Sequence, residues 1–230
     1  MRKSTVFAGA LLALAASPAI AGRPFATEDA GVLAAGECEL ETYALRQTAG
    51  AAPKETGWWV QPGCGVGHRT QLALGGGRTR VEPDQVTAAA FSGKHWLREL
   101  TDEQTGVTLA FSVGGEKAPG ARFKHESTAL SAVVSSPLAM NLLLHANVGW
   151  SRSQAERLNS TTWALALERT GAAGLDFGAE VYGDDRAAPW LGVGARYALR
   201  AEKLFVDVSW AAQANSAPAK LVTVGMKLAF

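Results

Sequence analysis

The final ten residues of the chain, 221–230, alternate between large apolar side chains and mostly small or polar ones. Successive side chains of an extended strand point to opposite sides, so this spacing predicts a β-strand with one continuous apolar face. That face consists of Val222, Val224, Met226, Leu228 and Phe230. The other face carries Leu221, Thr223, Gly225, Lys227 and Ala229. Such a strand packs either against a second sheet or against lipid, so the alternatives are a soluble sandwich and a membrane barrel.

The first 21 residues have the composition of a secretory signal peptide. Arg2 and Lys3 precede an apolar run over residues 6–16, and Ala19 and Ala21 supply the small residues of a cleavage site. The run is shorter than the roughly 20 residues that a spanning helix needs. We expect cleavage near Ala21, which leaves 20 basic and 21 acidic residues and changes the net charge from +1 to −1. This balance argues against a polyanion-binding role, and no nucleic-acid partner is expected.

Alternating segments recur along the rest of the chain, with turn-forming residues between them. They predict about twelve strands, within a range of about 10 to 14, over residues 37–230. Their polar faces hold mainly Gly, Ala, Ser and Thr with charges of both signs, which suits a confined lumen better than a solvated surface. No later apolar run is long enough for a transmembrane helix, so a membrane location requires a closed barrel. The expected fold is therefore an all-β, antiparallel transmembrane β-barrel.

The predicted connections fall into two alternating sets. The set expected to be short lies near residues 65–68, 101–105, 135–139, 170–173 and 200–202. The other set is longer and more polar, which is typical of barrels with short periplasmic turns and longer external loops. An even number of strands places both ends of the barrel in the periplasm. Aromatic residues near strand ends are expected to form an outward girdle at the membrane interface: Trp150, Trp163, Trp190, Tyr197 and Trp210.

Cys38 and Cys64 are the two cysteines of the chain, and they lie symmetrically about a turn near residue 51. A hairpin at that turn would place them opposite each other on neighbouring strands. A disulfide is then feasible in the oxidising compartment to which the chain is exported. Two free thiols or a redox pair are the alternatives, and the redox pair lacks the CxxC spacing. We predict a structural disulfide.

Several charged and aromatic residues are expected to line the lumen. Glu37, Glu39 and Glu41 share one face of the first strand, and carboxylates that faced lipid would be costly. They form either a cation-attracting surface in a pore or ion pairs with inward bases. The candidate bases are Arg196, Arg200 and Lys227, because the first and last strands meet when a barrel closes. Further lining candidates are His145, Asp176, Glu180, Tyr182, Phe205 and Asp207.

A catalytic alternative rests on His125 and Ser127, which are two residues apart and are expected to share a strand face. Such a pair resembles the arrangement in outer-membrane lipid A deacylases, where histidine activates the serine hydroxyl. This chain has Thr128 at the position where asparagine follows the serine in those enzymes. The four histidines lack the spacing of a metal site, and no phosphate loop or G-x-S-x-G motif occurs. No metal or cofactor is expected.

Residues 23–31 read Arg-Pro-Phe-Ala-Thr-Glu-Asp-Ala-Gly, and residues 36–41 read Gly-Glu-Cys-Glu-Leu-Glu. Together they resemble the start of the mature chains in a proteobacterial outer-membrane family named for the meta-pathway of phenol degradation. That family has a Pro-Phe-x-Thr-x-Asp-Ala segment followed by a Gly-x-x-x-x-Glu strand start. Glu28 stands where aspartate is expected. The resemblance implies a transporter or channel for hydrophobic or aromatic compounds, and it transfers no catalytic residue.

Residues 22–36 precede the barrel and lack alternation. They combine Phe25, an apolar handle, with Glu28 and Asp29, which are expected to pair with Arg196 or Arg200. The segment is therefore either a plug in the periplasmic mouth of the barrel or a disordered tail. The expected organisation is a signal peptide (1–21), this N-terminal segment (22–36) and the barrel (37–230).

The sequence thus predicts a monomeric channel or transporter in the outer membrane of a Gram-negative bacterium. The permeants are expected to be small and hydrophobic or aromatic. The other expected partners are outer-membrane lipid and the barrel assembly machinery, for which Phe230 is the assembly signal. A lipid-modifying hydrolase and a purely structural barrel are the alternative functions.

Overall fold

The computed structural model describes residues 25–50, 53–81 and 83–230. Twelve antiparallel strands close into one barrel, in which each strand pairs with its neighbours in sequence and β1 pairs with β12. The predicted fold is confirmed; the signal peptide lies outside the described residues. No helix in the described part of the chain is long and apolar enough to cross a membrane. The strands are β1 (Cys38–Ala49), β2 (Glu55–Gly67), β3 (Thr70–Val81), β4 (Asp84–Arg98), β5 (Gly106–Lys117), β6 (Lys124–Ala139), β7 (Leu142–Ser153), β8 (Leu158–Thr170), β9 (Leu175–Asp184), β10 (Trp190–Arg200), β11 (Leu204–Gln213) and β12 (Ala219–Ala229).

The two faces of each strand differ in the way that the alternation predicts. In β12, Val224 is 57% exposed on the outside of the barrel, whereas its neighbour Thr223 is 8% exposed on the inside. The outward face carries most of the exposed Val, Leu, Phe and Trp side chains of the described residues. An apolar band of this extent around a closed barrel is stable against hydrocarbon rather than water.

The connections alternate between two ends of the barrel. The turn end holds the start of β1, the end of β12 and the connections at 68–69, 99–105, 140–141, 171–174 and 201–203. The loop end holds the connections at 50–54, 82–83, 118–123, 154–157, 185–189 and 214–218. The predicted difference in length holds for most of them, since four of the five turn-end connections have two to four residues and five of the six loop-end connections have four to six. The exceptions are 99–105, which is the longest connection but lies at the turn end, and 82–83 at the loop end. The strands extend further into the predicted loops than the sequence indicated.

One predicted turn, at residues 135–139, is instead the last part of β6, and the chain turns at 140–141. This part of β6 contains Pro137, and proline cannot donate a hydrogen bond to a neighbouring strand. In the structure Pro137 pairs with Leu143 beside a register shift between β6 and β7. Bulges are positions at which a sheet tolerates proline, so the strand continues.

Cys38 lies where the barrel closes. It is directly opposite Cys64 in the register of β1 and β2, and a disulfide joins the two, as predicted. On its other side, the backbone N–H and C=O of Cys38 exchange hydrogen bonds with those of Phe230, both at 2.9 Å. The disulfide therefore fixes β2 to β1 at the position where the last residue completes the barrel. The Phe230 ring is 70% exposed on the outside, and its role in assembly stays a prediction.

Candidate functional site

Residues 25–36, here called the N-terminal segment, lie inside the barrel. Ala30 near the middle of the segment is fully buried, and Phe25 is only 5% exposed. The carbonyl oxygen of Ala30 accepts hydrogen bonds from Trp96 Nε1 at 2.5 Å and Thr108 Oγ1 at 2.7 Å. Its N–H donates to Ser135 Oγ at 2.8 Å. Inward side chains of three strands thus hold the backbone of one residue of the segment.

Glu180 of β9 holds the start of the segment. Its carboxylate accepts the N–H of Ala26 at 3.0 Å, and the N–H and hydroxyl of Thr27 at 2.9 and 2.8 Å. The ring of Phe25 occupies the space that a side chain at Gly178, two residues earlier on β9, would need. On the inward face of β9, Gly178 therefore leaves room for the Phe25 ring, and Glu180 accepts hydrogen bonds from the two residues that follow it.

The end of the segment runs along β2 towards the start of β1. Gly36 N–H donates to the carbonyl of Gly65 at 3.0 Å, and Gly65 N–H donates to the carbonyl of Glu37 at 2.9 Å. The carbonyls of Leu33 and Ala34 lie where a Cβ on Gly65 would be, so any other residue at this position would displace the segment.

Lys94 of β4 lies opposite two acidic residues of the segment. Its Nζ is 3.2 Å from Glu28 Oε2 and 3.4 Å from Asp29 Oδ1. The predicted pairing of Glu28 and Asp29 with Arg196 or Arg200 is therefore wrong. Asn147 adds a reciprocal contact, in which its Oδ1 accepts Glu28 N–H at 2.7 Å and its Nδ2 donates to Glu28 O at 3.0 Å.

The two acidic residues respond differently to this environment. Burial raises the pKa of Glu28 to about 8, more than the positive charge of Lys94 lowers it. Burial also acts to raise the pKa of Asp29, but Lys94 and Lys227 hold that pKa well below its usual range. Asp29 therefore stays ionised beside the lysines, whereas Glu28 keeps its proton up to a pH of about 8.

Arg196 of β10 forms a second charged cluster in the lumen. Its Nη2 is 2.7 Å from Glu168 Oε1 and 3.1 Å from Asp176 Oδ2. Its guanidinium carbon is 5.5 Å from the centre of the Phe205 ring. His145, which is buried, joins this cluster to the N-terminal segment, since its Nε2 is 3.4 Å from Glu168 and its Nδ1 is 2.7 Å from Ser135 Oγ.

Lys227 of β12 forms a third cluster across the closing seam. Its Nζ is 2.5 Å from Glu39 and 3.8 Å from Glu41. The sequence left two roles open for the acidic residues of β1, a cation-attracting surface or ion pairs with inward bases. Glu39 and Glu41 form ion pairs. Glu37 is exposed and accepts the N–H of Ala34 at 3.0 Å through its side chain. Arg200 is exposed at the turn end and pairs in register with the outward Leu204, so it does not line the lumen.

The N-terminal segment leaves part of the lumen unfilled. A cavity of about 230 Å³ lies between it and the wall formed by β1 to β4 and β12. The charged groups that line it are four carboxylates and two lysines, so it is acidic. These groups are Asp29, Glu37, Glu39, Glu41, Lys94 and Lys227.

The loop-end half of the lumen contains aromatic side chains. The rings of Tyr182 and Trp190 are stacked, 6.2 Å apart and 5° from parallel. Trp190 pairs in register with Tyr182 on the face that carries Glu180, so its predicted place in the outward girdle is wrong. Trp59 lies against Gly75 and Gly77 of β3 and donates to Gln61 Oε1 at 3.2 Å.

The sequence of the chain matches the profile of one protein family. The profile of a family described as "Uncharacterised conserved protein UCP029691" matches residues 10–230. The chain belongs to that family. Its description carries no link to phenol degradation, which the resemblance of residues 23–41 had implied. No curated protein matches the chain.

Solved structures similar to the barrel include outer-membrane porins and channels. A KdgM porin in complex with disordered oligogalacturonate has a TM-score of 0.62 and 8% identity, and covers 84% of this chain and 99% of its own. The NanC porin has a TM-score of 0.59 and 7% identity, with coverages of 82% and 98%. The COG4313 outer-membrane channel from Pseudomonas putida F1 has a TM-score of 0.58 and 14% identity, with coverages of 88% and 98%. At these identities the similarity shows the fold alone.

The geometry contradicts the catalytic alternative. A register shift between β5 and β6 pairs His125 with Gly115 but Ser127 with Gly114, so the two side chains lie on opposite faces of the sheet. His125 Nε2 contacts the backbone carbonyl of Ser127 and the hydroxyl of Thr128, both at 3.0 Å, rather than the Ser127 hydroxyl. The extra residue of the bulge breaks the alternation on which the prediction depended.

The sequence analysis missed the wall residues that bind the segment. They are Gln71, Lys94, Trp96, Thr108, Ser135 and Asn147. All of them are polar or aromatic residues, and all except Ser135, which fell in a predicted turn, lie at inward positions of predicted strands, so parity was the available signal for those five. Lys94 was the clearest case, because a lysine at an inward position requires an acidic partner in the lumen.

Proposed function

We propose that this protein is an outer-membrane channel for small molecules, closed at rest by its N-terminal segment, with the turn end facing the periplasm. The fold that it shares with porins and channels supports this role, as does the apolar outer face. The observation that carries the proposal is the way in which the segment is held. The twelve-strand ladder is already closed without it, and wall side chains supply most of its hydrogen bonds. The segment can therefore leave the lumen without breaking the barrel.

The charges of the lumen support uncharged or cationic permeants. In the turn-end half, the described inward and segment residues include eight carboxylates but only three bases. The carboxylates are Glu28, Asp29, Glu39, Glu41, Glu168, Asp176, Glu180 and Asp207, and the bases are Lys94, Arg196 and Lys227. Anions would be repelled from such a path. The oligogalacturonate of the KdgM complex is a polyanion, so a different substrate class is proposed here.

The aromatic side chains of the loop-end half favour a permeant with an apolar or aromatic part. Trp59 and the stacked pair of Tyr182 and Trp190 offer flat apolar surfaces beside polar groups. Together with the acidic turn end, they fit small neutral aromatic molecules. This proposal agrees with the substrates that the resemblance of residues 23–41 implies.

Planar-bilayer recordings test the proposal. The full-length protein is compared with a deletion of residues 23–34 that retains the signal peptide, after heat-modifiable migration on gels has shown that both are folded. The deletion should increase conductance, and a salt gradient should give a reversal potential that favours cations. Liposomes should take up a neutral phenol faster than its carboxylate analogue. Equal conductance of the two folded proteins would contradict a closing role for the segment.

A further inference from the structure

The charged side chains on the outward faces of the strands are all basic. Alternation and register place nine Arg and Lys residues there and no Asp or Glu among the described strand residues. At the loop end they are Arg46, Arg78, Arg80, Lys117, Arg152 and Lys220. At the turn end they are Arg98, Arg169 and Arg200. Acidic residues are thus confined to the lumen, the N-terminal segment and the connections.

Four of the bases form one patch on β12, β1 and β3, here called the basic patch: Arg46, Arg78, Arg80 and Lys220. In the register, Arg46 and Arg80 flank Thr56 of β2, which places them two strands apart, or about 10 Å between backbones. Arg78 lies two residues along β3 from Arg80, a separation of about 7 Å. Lys220 pairs with Thr48, two residues beyond Arg46. All four side chains are exposed.

The basic patch borders an apolar, aromatic surface. Trp58 pairs in register with Arg78 and is 50% exposed, and Trp210 lies in the register row of Arg46, one strand beyond β12. Tryptophan favours the depth at which hydrocarbon gives way to headgroups. The bases therefore lie at headgroup depth. In the described part of the chain, Arg46, Arg78 and Lys220 make no ion pair with an acidic residue.

We propose that the basic patch binds the phosphate groups of a phosphorylated lipid in the outer leaflet, of the lipid A class. Guanidinium groups bind phosphate oxygens through two parallel hydrogen bonds, and long Arg and Lys side chains can converge on one headgroup from these separations. Among the described strand residues, the outward faces at the loop end carry no acid that would compete for Arg46, Arg78 and Lys220. This site is independent of transport, and it requires only that the loop end faces the outer leaflet.

The test measures lipid binding by the full-length protein in detergent micelles, by native mass spectrometry with increasing lipid A. The variant R46Q/R78Q removes two bases of the basic patch. One base near an anionic lipid surface strengthens binding by about fivefold, so the variant should bind lipid A about 30-fold more weakly. The matched control R169Q/R200Q removes two outward bases at the turn end and should bind as the wild type does.

Two further arms identify the source of the phosphate. Dephosphorylated lipid A should bind the wild type much more weakly than intact lipid A, and inorganic phosphate at the same concentration should not displace the intact lipid. Equal binding by R46Q/R78Q and the wild type would overturn the proposal. So would equal binding of dephosphorylated lipid A, which would show that acyl chains alone are recognised. The comparison of intact with dephosphorylated lipid A uses only the wild-type protein, so it tests phosphate recognition even if the variant fails to fold.

Discussion

Replacing Glu180 by glutamine should release the N-terminal segment while leaving its length and sequence unchanged. The Glu180 carboxylate accepts hydrogen bonds from three donors of the segment, at 2.8 to 3.0 Å. Glutamine has nearly the same shape but carries no charge, and its NH₂ group cannot accept a hydrogen bond. The change therefore weakens the contact that holds the start of the segment, without leaving a void in β9.

The size of the effect follows from those three bonds. A hydrogen bond to a charged group contributes about 1.5 to 3 kcal/mol, against about 0.5 to 1.5 kcal/mol between neutral groups. Removing the charge then costs about 1 kcal/mol for each bond, or about 3 kcal/mol in all. The ratio of open to closed channels should rise about 100-fold.

The open probability of single channels in planar bilayers measures this ratio. Glu126 provides a matched control, because its carboxylate also accepts a hydroxyl and a backbone N–H, from Ser153 and Ala155 at the loop end. The E126Q variant should gate as the wild type does. If E180Q gates like the wild type while it remains folded, then these hydrogen bonds do not hold the channel closed.

Two other predictions concern the disulfide and pH. The variant C38S/C64S opens a covalent loop with a sequence separation of 26 residues, so the free energy of unfolding should fall by about 3.5 kcal/mol, measured by urea titration of the folded barrel. Two reactive thiols in the denatured, non-reduced wild type would show that the bridge is absent from the purified protein. Burial raises the pKa of Glu28 to about 8, so binding of the segment inside the barrel favours the protonated carboxyl. The free energy that holds the segment in the lumen therefore decreases as the pH rises from about 5 to about 9. Open probability should therefore rise over this range in the wild type and stay flat in E28Q, and a falling wild-type profile would contradict the burial of Glu28 beside Lys94 and Asp29.

The alternation of side chains predicted the features that depend on one strand or on adjacent strands. It predicted the outward apolar face of β12 and the inward orientation of the Glu39 and Glu41 side chains. Closure of the barrel then brought Lys227 beside those two carboxylates. The Cys38–Cys64 bridge followed from the symmetry of the two cysteines about a single turn. In each case the partners meet because a hairpin or the closing seam makes their strands neighbours.

The predictions that failed depend on positions that alternation does not determine. A bulge adds one residue to a strand and exchanges its faces, so the parity of His125 and Ser127 could not be read from their spacing. Lys94 and Glu28 meet because the segment crosses the lumen, and no register relates a crossing segment to the wall. Trp190 is a different case, because its parity with Gly192 already predicts an inward side chain and its position at a strand end does not change that parity.

The net charge of the chain shows how composition conceals a spatial arrangement. The basic and acidic residues of the whole chain nearly cancel, and this balance argued against polyanion binding. In the barrel the outward strand faces carry only bases, whereas carboxylates outnumber bases in the lumen. Charges on opposite sides of a wall surrounded by hydrocarbon do not share an aqueous environment, so each surface attracts partners according to its own sign. For a barrel of this kind, the charge of each strand face therefore predicts its partners better than the charge of the whole chain.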